Sequence, residues 1–308
     1  MTSSSSHCRL GTRDSLLAVT QTTLVYNALK THWPNLTFSQ HPCKTLGDNQ
    51  LEKRFEEIGT TGLFVKELEI GLLNKDYELA VHSLKDMPSQ VADGLILTPV
   101  FTRANPCDVL ISSSGKKLNE LPEKAIIGTA SARREAQIKR LRPDLICKPI
   151  RGNVQTRLQK LENEAYDAII LAAAGLERLG ELNTLATQIF DPITECIPSP
   201  NQGILAVEYA SEAPNVTEWI TPLIDEPTRA IALAERAVIR ATGSGCHTPL
   251  GAYATIDEAT QTLSITGILF NTKDLSFYTE ATTKGAVNDA ETLGTWVGEQ
   301  LLKTLPTV

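Results

Sequence analysis

The sequence predicts an α/β protein: two related α/β domains followed by a smaller α+β unit. Three observations carry this expectation. Over the first two hundred residues, short β-rich runs alternate with helical periodicity. One strand–helix junction echoes another, Leu10-Gly-Thr-Arg-Asp-Ser15 against Ile127-Gly-Thr-Ala-Ser131. After Pro227 come an Ala-rich helix, three strand-like runs and a final helix, as expected for helices on one side of an antiparallel sheet.

In chain order, Arg9–Thr12 reads as a strand end, and the segment from Ser15 to Lys30 as a helix with Leu17, Leu24 and Ala28 on one face. Leu36–Cys43 alternates as a strand does. Phe64–Leu73 is expected to be a helix with Val65, Leu68 and Leu72 inward, followed by a buried strand at Leu79–His82. Asn105-Pro106 breaks regular structure, so Thr102–Pro106 is the expected crossing between domains. The pattern then restarts with a strand at Ala125–Thr129, a helix at Ser131–Leu141 and a strand at Leu145–Ile150. Val154, Leu158 and Leu161 define another helix, and Asp167–Ala172 another strand. The two echoing junctions each aim a helix N-terminus at what should be a shared cleft. In the last part, a helix over Arg229–Arg240 precedes strands at Gly251–Ile256, Leu263–Phe270 and Leu275–Thr282. The closing helix carries Leu293, Val297 and Leu301 on one face.

Composition narrows the function classes. Twenty-nine basic residues against 36 acidic ones give a net charge of −7, which disfavours a general nucleic-acid or anionic-membrane surface. No apolar run approaches the ~18 residues a membrane span needs. Met1–Cys8 lacks an apolar signal-peptide core and reads as a frayed terminus, so the expectation is a soluble, cytoplasmic protein. Six cysteines without a C-x-x-C pair argue against zinc and against a disulfide framework. His82 and His247 are expected to be structural, and no metal is expected.

The chemistry is concentrated at element ends. Arg13, Arg133, Arg134, Arg151, Arg157 and Arg178 fall where strands meet helices. A guanidinium fork matches a carboxylate, and each sheltered charge-assisted bond contributes roughly 1.5–3 kcal/mol. Any one of these arginines alone reads as solvated surface; the set suits a ligand with several carboxylates or phosphates. No Walker loop or dinucleotide fingerprint is present. Ala80–Pro88 runs a buried strand into Lys85-Asp86, where a carboxylate beside a cation suits acid–base or cation-stabilising work. An ordinary Lys-Asp turn fits that stretch equally well. Cys246 lies in the glycine-rich loop Gly243-Ser-Gly-Cys-His-Thr-Pro249, which allows close approach by a large group; an inert buried thiol is the alternative.

Taken together, six segments resemble the porphobilinogen deaminase (hydroxymethylbilane synthase) family nearly end to end. They are Gly-Thr-Arg-Asp-Ser (11–15), Gly-Leu-Phe-Val-Lys-Glu-Leu (62–68) and Ala-Val-His-Ser-Leu-Lys-Asp-Met-Pro (80–88). Arg-Gly-Asn-Val-Gln-Thr-Arg-Leu (151–158), Ala-Ala-Gly-Leu-Glu-Arg-Leu-Gly (173–180) and Gly-Cys-His-Thr-Pro-Leu-Gly-Ala-Tyr (245–253) complete the set. The resemblance implies two periplasmic-binding-protein-like α/β domains around a cleft, 1–101 with 202–221 and 102–201, and a C-terminal α+β domain, 222–308.

It further implies condensation of four porphobilinogen molecules, with release of ammonia, to hydroxymethylbilane. The implied cofactor is a dipyrromethane attached by a thioether to Cys246 and bound by Ser83, Lys85, Asp86, Ser131, Arg133 and Arg134. Asp86 and Lys85 would be catalytic, and Arg13, Ser15, Arg151, Arg157, Arg178 and Gln202 would bind substrate. Porphobilinogen is the expected partner, with no nucleic acid or membrane, and the protein is expected to be a monomer. Four departures from the family pattern stand out: Thr61 for a lysine in Ile58-Gly-Thr-Thr61, Glu57 for another lysine in some members, Ala130 for a serine, and Ser199-Pro-Asn-Gln202 for a Val-Gly-Gln run. The segment 47–61 would be a mobile lid that has lost positive charge. A non-catalytic polyanion clamp and a poorly active dipyrromethane-holding paralogue remain the alternatives.

Overall fold

The computed structural model describes residues 7–43, 65–163, 165–245 and 247–306. They fall into two units, 1–103 with 204–229 and 104–203 with 230–308. The chain leaves the first unit within the expected Thr102–Pro106 crossing and returns at Ile204; residues 222–229 group with the first unit.

In the first unit, β1 (His7–Arg13), β2 (Thr37–Cys43), β3 (Leu79–Ser83), β4 (Leu95–Val100) and β10 (Leu205–Ala210) form one sheet in the order β2-β1-β3-β10-β4. β1 runs parallel to β2 and β3, whereas β10 is antiparallel to β3 and β4. Helices α1 (Leu16–His32) and α7 (Pro214–Ile220) cover one face, where Leu10, Leu79, Val81 and Val207 meet Val25, Leu29, Val216 and Ile220. On the other face α2 (Lys66–Leu73) lays Leu68 and Leu72 over Ala80, Tyr77 and Leu95. The burial of Val65, Leu68 and Leu72 agrees with the periodicity of that segment.

α1 differs from expectation. Its buried residues are Gln21, Thr22, Val25 and Leu29, and Leu24 is 43% exposed. The face against the sheet and α7 therefore includes two polar side chains, which an apolar periodicity cannot reveal.

In the second unit, β5 (Asp108–Ser112), β6 (Ile126–Gly128), β7 (Ile146–Lys148), β8 (Ala168–Ala172) and β9 (Gln188–Ile189) take the order β7-β6-β8-β5-β9. The pattern of directions repeats that of the first sheet: β6 is parallel to β7 and β8, and β5 is antiparallel to β8. α3 (Ala132–Leu141) contributes Ile138 to one core, and α4 (Val154–Asn163) and α5 (Ala173–Arg178) contribute Leu161 and Leu176 to the other. A short helix α6 (Leu182–Leu185) leads to β9.

The echoing junctions have the same construction. Leu10 pairs with Leu79 and Gly11 with Ala80; Ile127 pairs with Ala168 and Gly128 with Ile169. A Cβ on Gly11 would lie 2.6 Å from the Tyr77 ring, and one on Gly128 would lie 2.9 Å from Ile169 and 3.1 Å from Tyr166. Ser15 Oγ accepts from Ala18 N, and Ser131 Oγ accepts from Arg134 N, both at 3.4 Å, so each serine caps its helix.

The remainder of the second unit is an antiparallel sheet of β11 (Leu250–Asp257), β12 (Thr262–Phe270) and β13 (Tyr278–Ala286). β13 starts three residues later than expected, because Asp274 accepts from Ser276 N and Phe277 N and forms a turn there. Helices α8 (Glu226–Thr242) and α9 (Ala290–Thr304) cover the sheet through Ala234, Val238, Val297 and Leu301. α8 begins ahead of Arg229 because Asp225 Oδ2 accepts from Thr228 N and Pro227 is tolerated in a first turn. The two helices are in close contact at Gly294, where an added Cβ would clash with Ala234 O. Gly294→Ala should therefore destabilise the protein by about 1–3 kcal/mol through overpacking, despite Ala being the better helix former by about 1 kcal/mol. Urea unfolding checks this, and an unchanged or raised midpoint would contradict the close contact.

Candidate active site

The C-terminal ends of parallel strands share one edge of their sheet, and ligand-binding groups gather there. At that edge of the first sheet, β1 ends in Arg13 with Ser15 capping α1, and the neighbouring β3 ends in Ser83. β3 continues into a short 3-10 turn, Leu84–Asp86. Leu84 N donates to Ile204 O at 3.0 Å, and Met87 N closes the turn on Leu84 O at 3.2 Å. Leu84 and Met87 are buried, Lys85 is half-buried and Asp86 is exposed. The sequence-predicted residues Arg13, Ser15, Ser83, Lys85 and Asp86 thus belong to one sheet edge. Sequence reasoning missed Gln21, whose Nε2 donates to Ser83 Oγ at 2.9 Å from the buried face of α1.

At the corresponding edge of the second sheet, Ser131 caps α3 behind β6, and β7 leads through Ile150 to Arg151. Arg157 donates Nε–H to Gly152 O at 2.8 Å. Arg133 and Arg134 turn inward, with only 4% and 7% exposure. Their partner is the fully buried Asp108 at the start of β5. Arg133 Nη2 lies 2.7 Å from Oδ2, and Arg134 reaches Oδ1 from Nη2 at 2.7 Å and Nε at 3.0 Å. Gln202 Nε2 donates to Asp108 Oδ1 at 2.9 Å and to Pro106 O at 2.7 Å. Cys196 Sγ donates to Oδ2 at 3.4 Å.

Burial alone would raise the Asp108 carboxyl, but the two guanidinium groups and the hydrogen bonds outweigh it and hold it well below the usual carboxylate range. Burial, with Asp108's charge, pushes the Cys196 thiol up to about 12, so it is inert. Arg133 and Arg134 share the Asp108 carboxylate, and Glu135 adds a second acid in the first turn of α3, so these four groups balance in formal charge.

Arg178 donates from Nη2 to Gly203 O at 2.7 Å, and burial lowers its pKa to about 10. Asn201 occupies a left-handed conformation at φ 64°, a geometry asparagine tolerates better than most residues. Its backbone N–H donates at 2.5 Å to Glu235, which also accepts from Ala254 N at 2.8 Å. Asp108 and Glu235 were not singled out from the sequence; an acid within an apolar run, as in Asp108-Val-Leu-Ile111, was the available signal.

Cys246 lies outside the described residues, as do Glu57, Thr61 and all of 47–61. The loop around Cys246 leaves α8 with Gly243 at φ 62° and turns where Thr248 N donates to Gly245 O at 3.0 Å. Ala130 is exposed beside the Ser131 cap. No group of three or more metal-ligating side chains occurs among the described residues, and none of their helices is long and apolar enough to cross a membrane.

Each α/β sheet by itself carries donors and cations at its strand ends, the position at which proteins of this class bind anionic ligands. A family model described as "Porphobilinogen deaminase, dipyromethane cofactor binding domain" matches residues 8–218, and "Porphobilinogen deaminase, C-terminal domain" matches residues 230–303. The porphobilinogen deaminase of Brevibacillus brevis is 40% identical over 297 residues, covering 96% of this chain and 93% of its own. That of Bacillus subtilis is 40% identical over 286 residues, covering 93% and 90%. Among solved structures, the methionine binding protein MetQ aligns with TM-score 0.45 and 9% identity over 74% of this chain and 94% of its own, too loose a likeness to carry weight. The chain belongs to the porphobilinogen deaminase family, whose members are transferases.

Asp108→Asn would leave Arg133 and Arg134 buried without their counter-charge and should cost about 3–5 kcal/mol at neutral pH. Because the folded carboxyl is held below its unfolded value of about 3.9, its contribution is complete above that pH and declines as pH falls below it toward the folded value. The variant should therefore lose less stability than the parent on acidification from pH 5 to about 3. Urea unfolding across that range tests this; equal acid sensitivity would remove Asp108 as its source.

Proposed function

We propose that this protein is a cytoplasmic, monomeric hydroxymethylbilane synthase. It joins four porphobilinogen molecules head to tail, releases ammonia at each step, and builds on a dipyrromethane held through a thioether to Cys246. We assign 1–101 with 202–221, 102–201 and 222–308 as its three domains. The observation that carries the reading is the exposed Asp86 carboxylate in the turn after β3, next to Lys85 and at the sheet edge of Arg13 and Ser15.

Each pyrrole of such a substrate carries an acetate and a propionate, so a growing chain is a polycarboxylate. The strand-end donors fit that chemistry. Ser83 and Lys85 at the first sheet edge, and Ser131, Arg133 and Arg134 at the second, are assigned to the cofactor carboxylates. When bound, the dipyrromethane supplies the pyrrole carbon from which the product is extended. Arg13, Ser15, Arg151 and Arg157 are assigned to substrate carboxylates. Arg178 and Gln202, engaged with Gly203 O and Pro106 O, support the turn at 201–203. Asp86 accepts pyrrole N–H groups and faces the cation left when ammonia departs; a carboxylate there can also take up the proton lost on carbon–carbon bond formation.

Asp86→Asn keeps the shape and an acceptor but loses the charge, so the condensation rate should fall on the order of 10²-fold or more with the fold intact. A near-normal rate in steady-state assays would reduce Asp86 to a turn residue. Intact-protein mass spectrometry should find two linked pyrrole units on the freshly purified parent and none on Cys246→Ser, since a hydroxyl is a poorer nucleophile than a thiolate. A parent protein with a free Cys246 thiol would overturn the covalent anchor.

A further inference from the structure

Behind the Lys85–Asp86 turn, the first sheet carries titratable groups on the face it shares with Leu68, Leu72, Tyr77, Ala80 and Leu95. His82 on β3 and Glu208 on β10 are both buried, with Nε2 2.9 Å from Oε2. His82 is opposite Ala206 and Glu208 opposite Ala80, so the two are diagonal neighbours on one face. Among the described residues, no well-aligned hydrogen bond reaches His82 Nε2 or either Glu208 oxygen, so the contact is one of proximity. Glu69 of α2 faces the same pair. Burial first, then the charge of Glu208, raise its carboxyl, while His82 and Lys66 act in the opposite direction.

Such a cluster is a poor way to stabilise a sheet. Desolvating these groups is costly, and apolar side chains of similar volume commonly serve stability as well or better. What such a close side-chain contact adds is register. The pair braces β3 on β10 just before β3 ends. Ser83 lies opposite Leu205, and Leu84 N bonds Ile204 O at 3.0 Å, so a shift of β3 along β10 would carry Lys85 and Asp86 with it.

We propose that His82 and Glu208 are a positioning pair that fixes β3 on β10 and thereby aims the Asp86 carboxylate, a role that rests on the assignment of Asp86 above. The test uses the holoprotein, with cofactor content read by intact mass. Glu208→Gln and the double variant His82→Gln/Glu208→Gln are compared with Asp86→Asn for kcat, KM for porphobilinogen and thermal midpoint. The double variant replaces both titratable side chains together and should fold. Its kcat should fall about tenfold or more, because small misplacements of a reacting group are costly, while KM stays within about twofold. Parent-like kcat in the folded double variant overturns the positioning role and leaves the pair merely structural. If Asp86→Asn is impaired in the same series, the Asp86 reading survives that failure; a normal Asp86→Asn rate overturns both. Should the double variant not fold, Glu208→Asp keeps the charge and shortens its reach by one methylene. Lower kcat with retained KM and midpoint then supports the pair, and unchanged kcat refutes it.

Discussion

A single buried carboxylate organises the second α/β sheet. Asp108 begins β5, and its two oxygens are shared among Arg133, Arg134, Gln202 and Cys196. The strand, the first turn of α3 and the segment leading to Gln202 are thereby tied to one point. Three buried groups with formal charge are tolerable there only because each meets a partner, and removing one would expose the others to the full cost of desolvation. Residues that resemble ligands for an anion are thus used first as scaffold. Glu135 adds a second acid in the same first turn, beside the Ser131 cap.

The first sheet solves a related problem differently. In each sheet the antiparallel strand next to the parallel set carries the buried acid, Asp108 on β5 and Glu208 on β10. Asp108 is surrounded by hydrogen-bond donors, whereas Glu208 meets His82 at contact distance without good alignment. The His82–Glu208 contact lies just before the turn that carries Asp86.

The small α+β portion belongs to the second unit through the same segment that Asp108 secures. Arg133 Nη1 and Gln137 Nε2 donate to Ile197 O, and Ala252 N donates to Pro198 O. Ala136, Ile197, Ile268 and Phe270 share a core, and Arg140 reaches Glu280 at 2.8 Å. The residues before Gln202 are consequently held from α3 on one side and from β11 on the other, with Glu235 capping Asn201 N–H. This explains how a left-handed asparagine is accommodated: its backbone is fixed by partners on several elements.

By itself the sequence determined the parts whose causes are local. Gly-Thr followed by a capping serine ended a strand and opened a helix at both Ser15 and Ser131, because tight approach and N-capping are decided within a few residues. The apolar spacing of α2 and α9, the strand ending at Lys85-Asp86 and the three strands after Pro227 were legible for the same reason. The tertiary structure alone decided which face of α1 is buried, where β5 and β10 insert, and what Arg133 and Arg134 do. Asp108 is 26 positions from Arg134 and 94 from Gln202, and Gln21 is 62 from Ser83. Periodicity reports that a position is buried, but a buried polar group must be matched by another polar group, and only the folded chain brings such distant partners together.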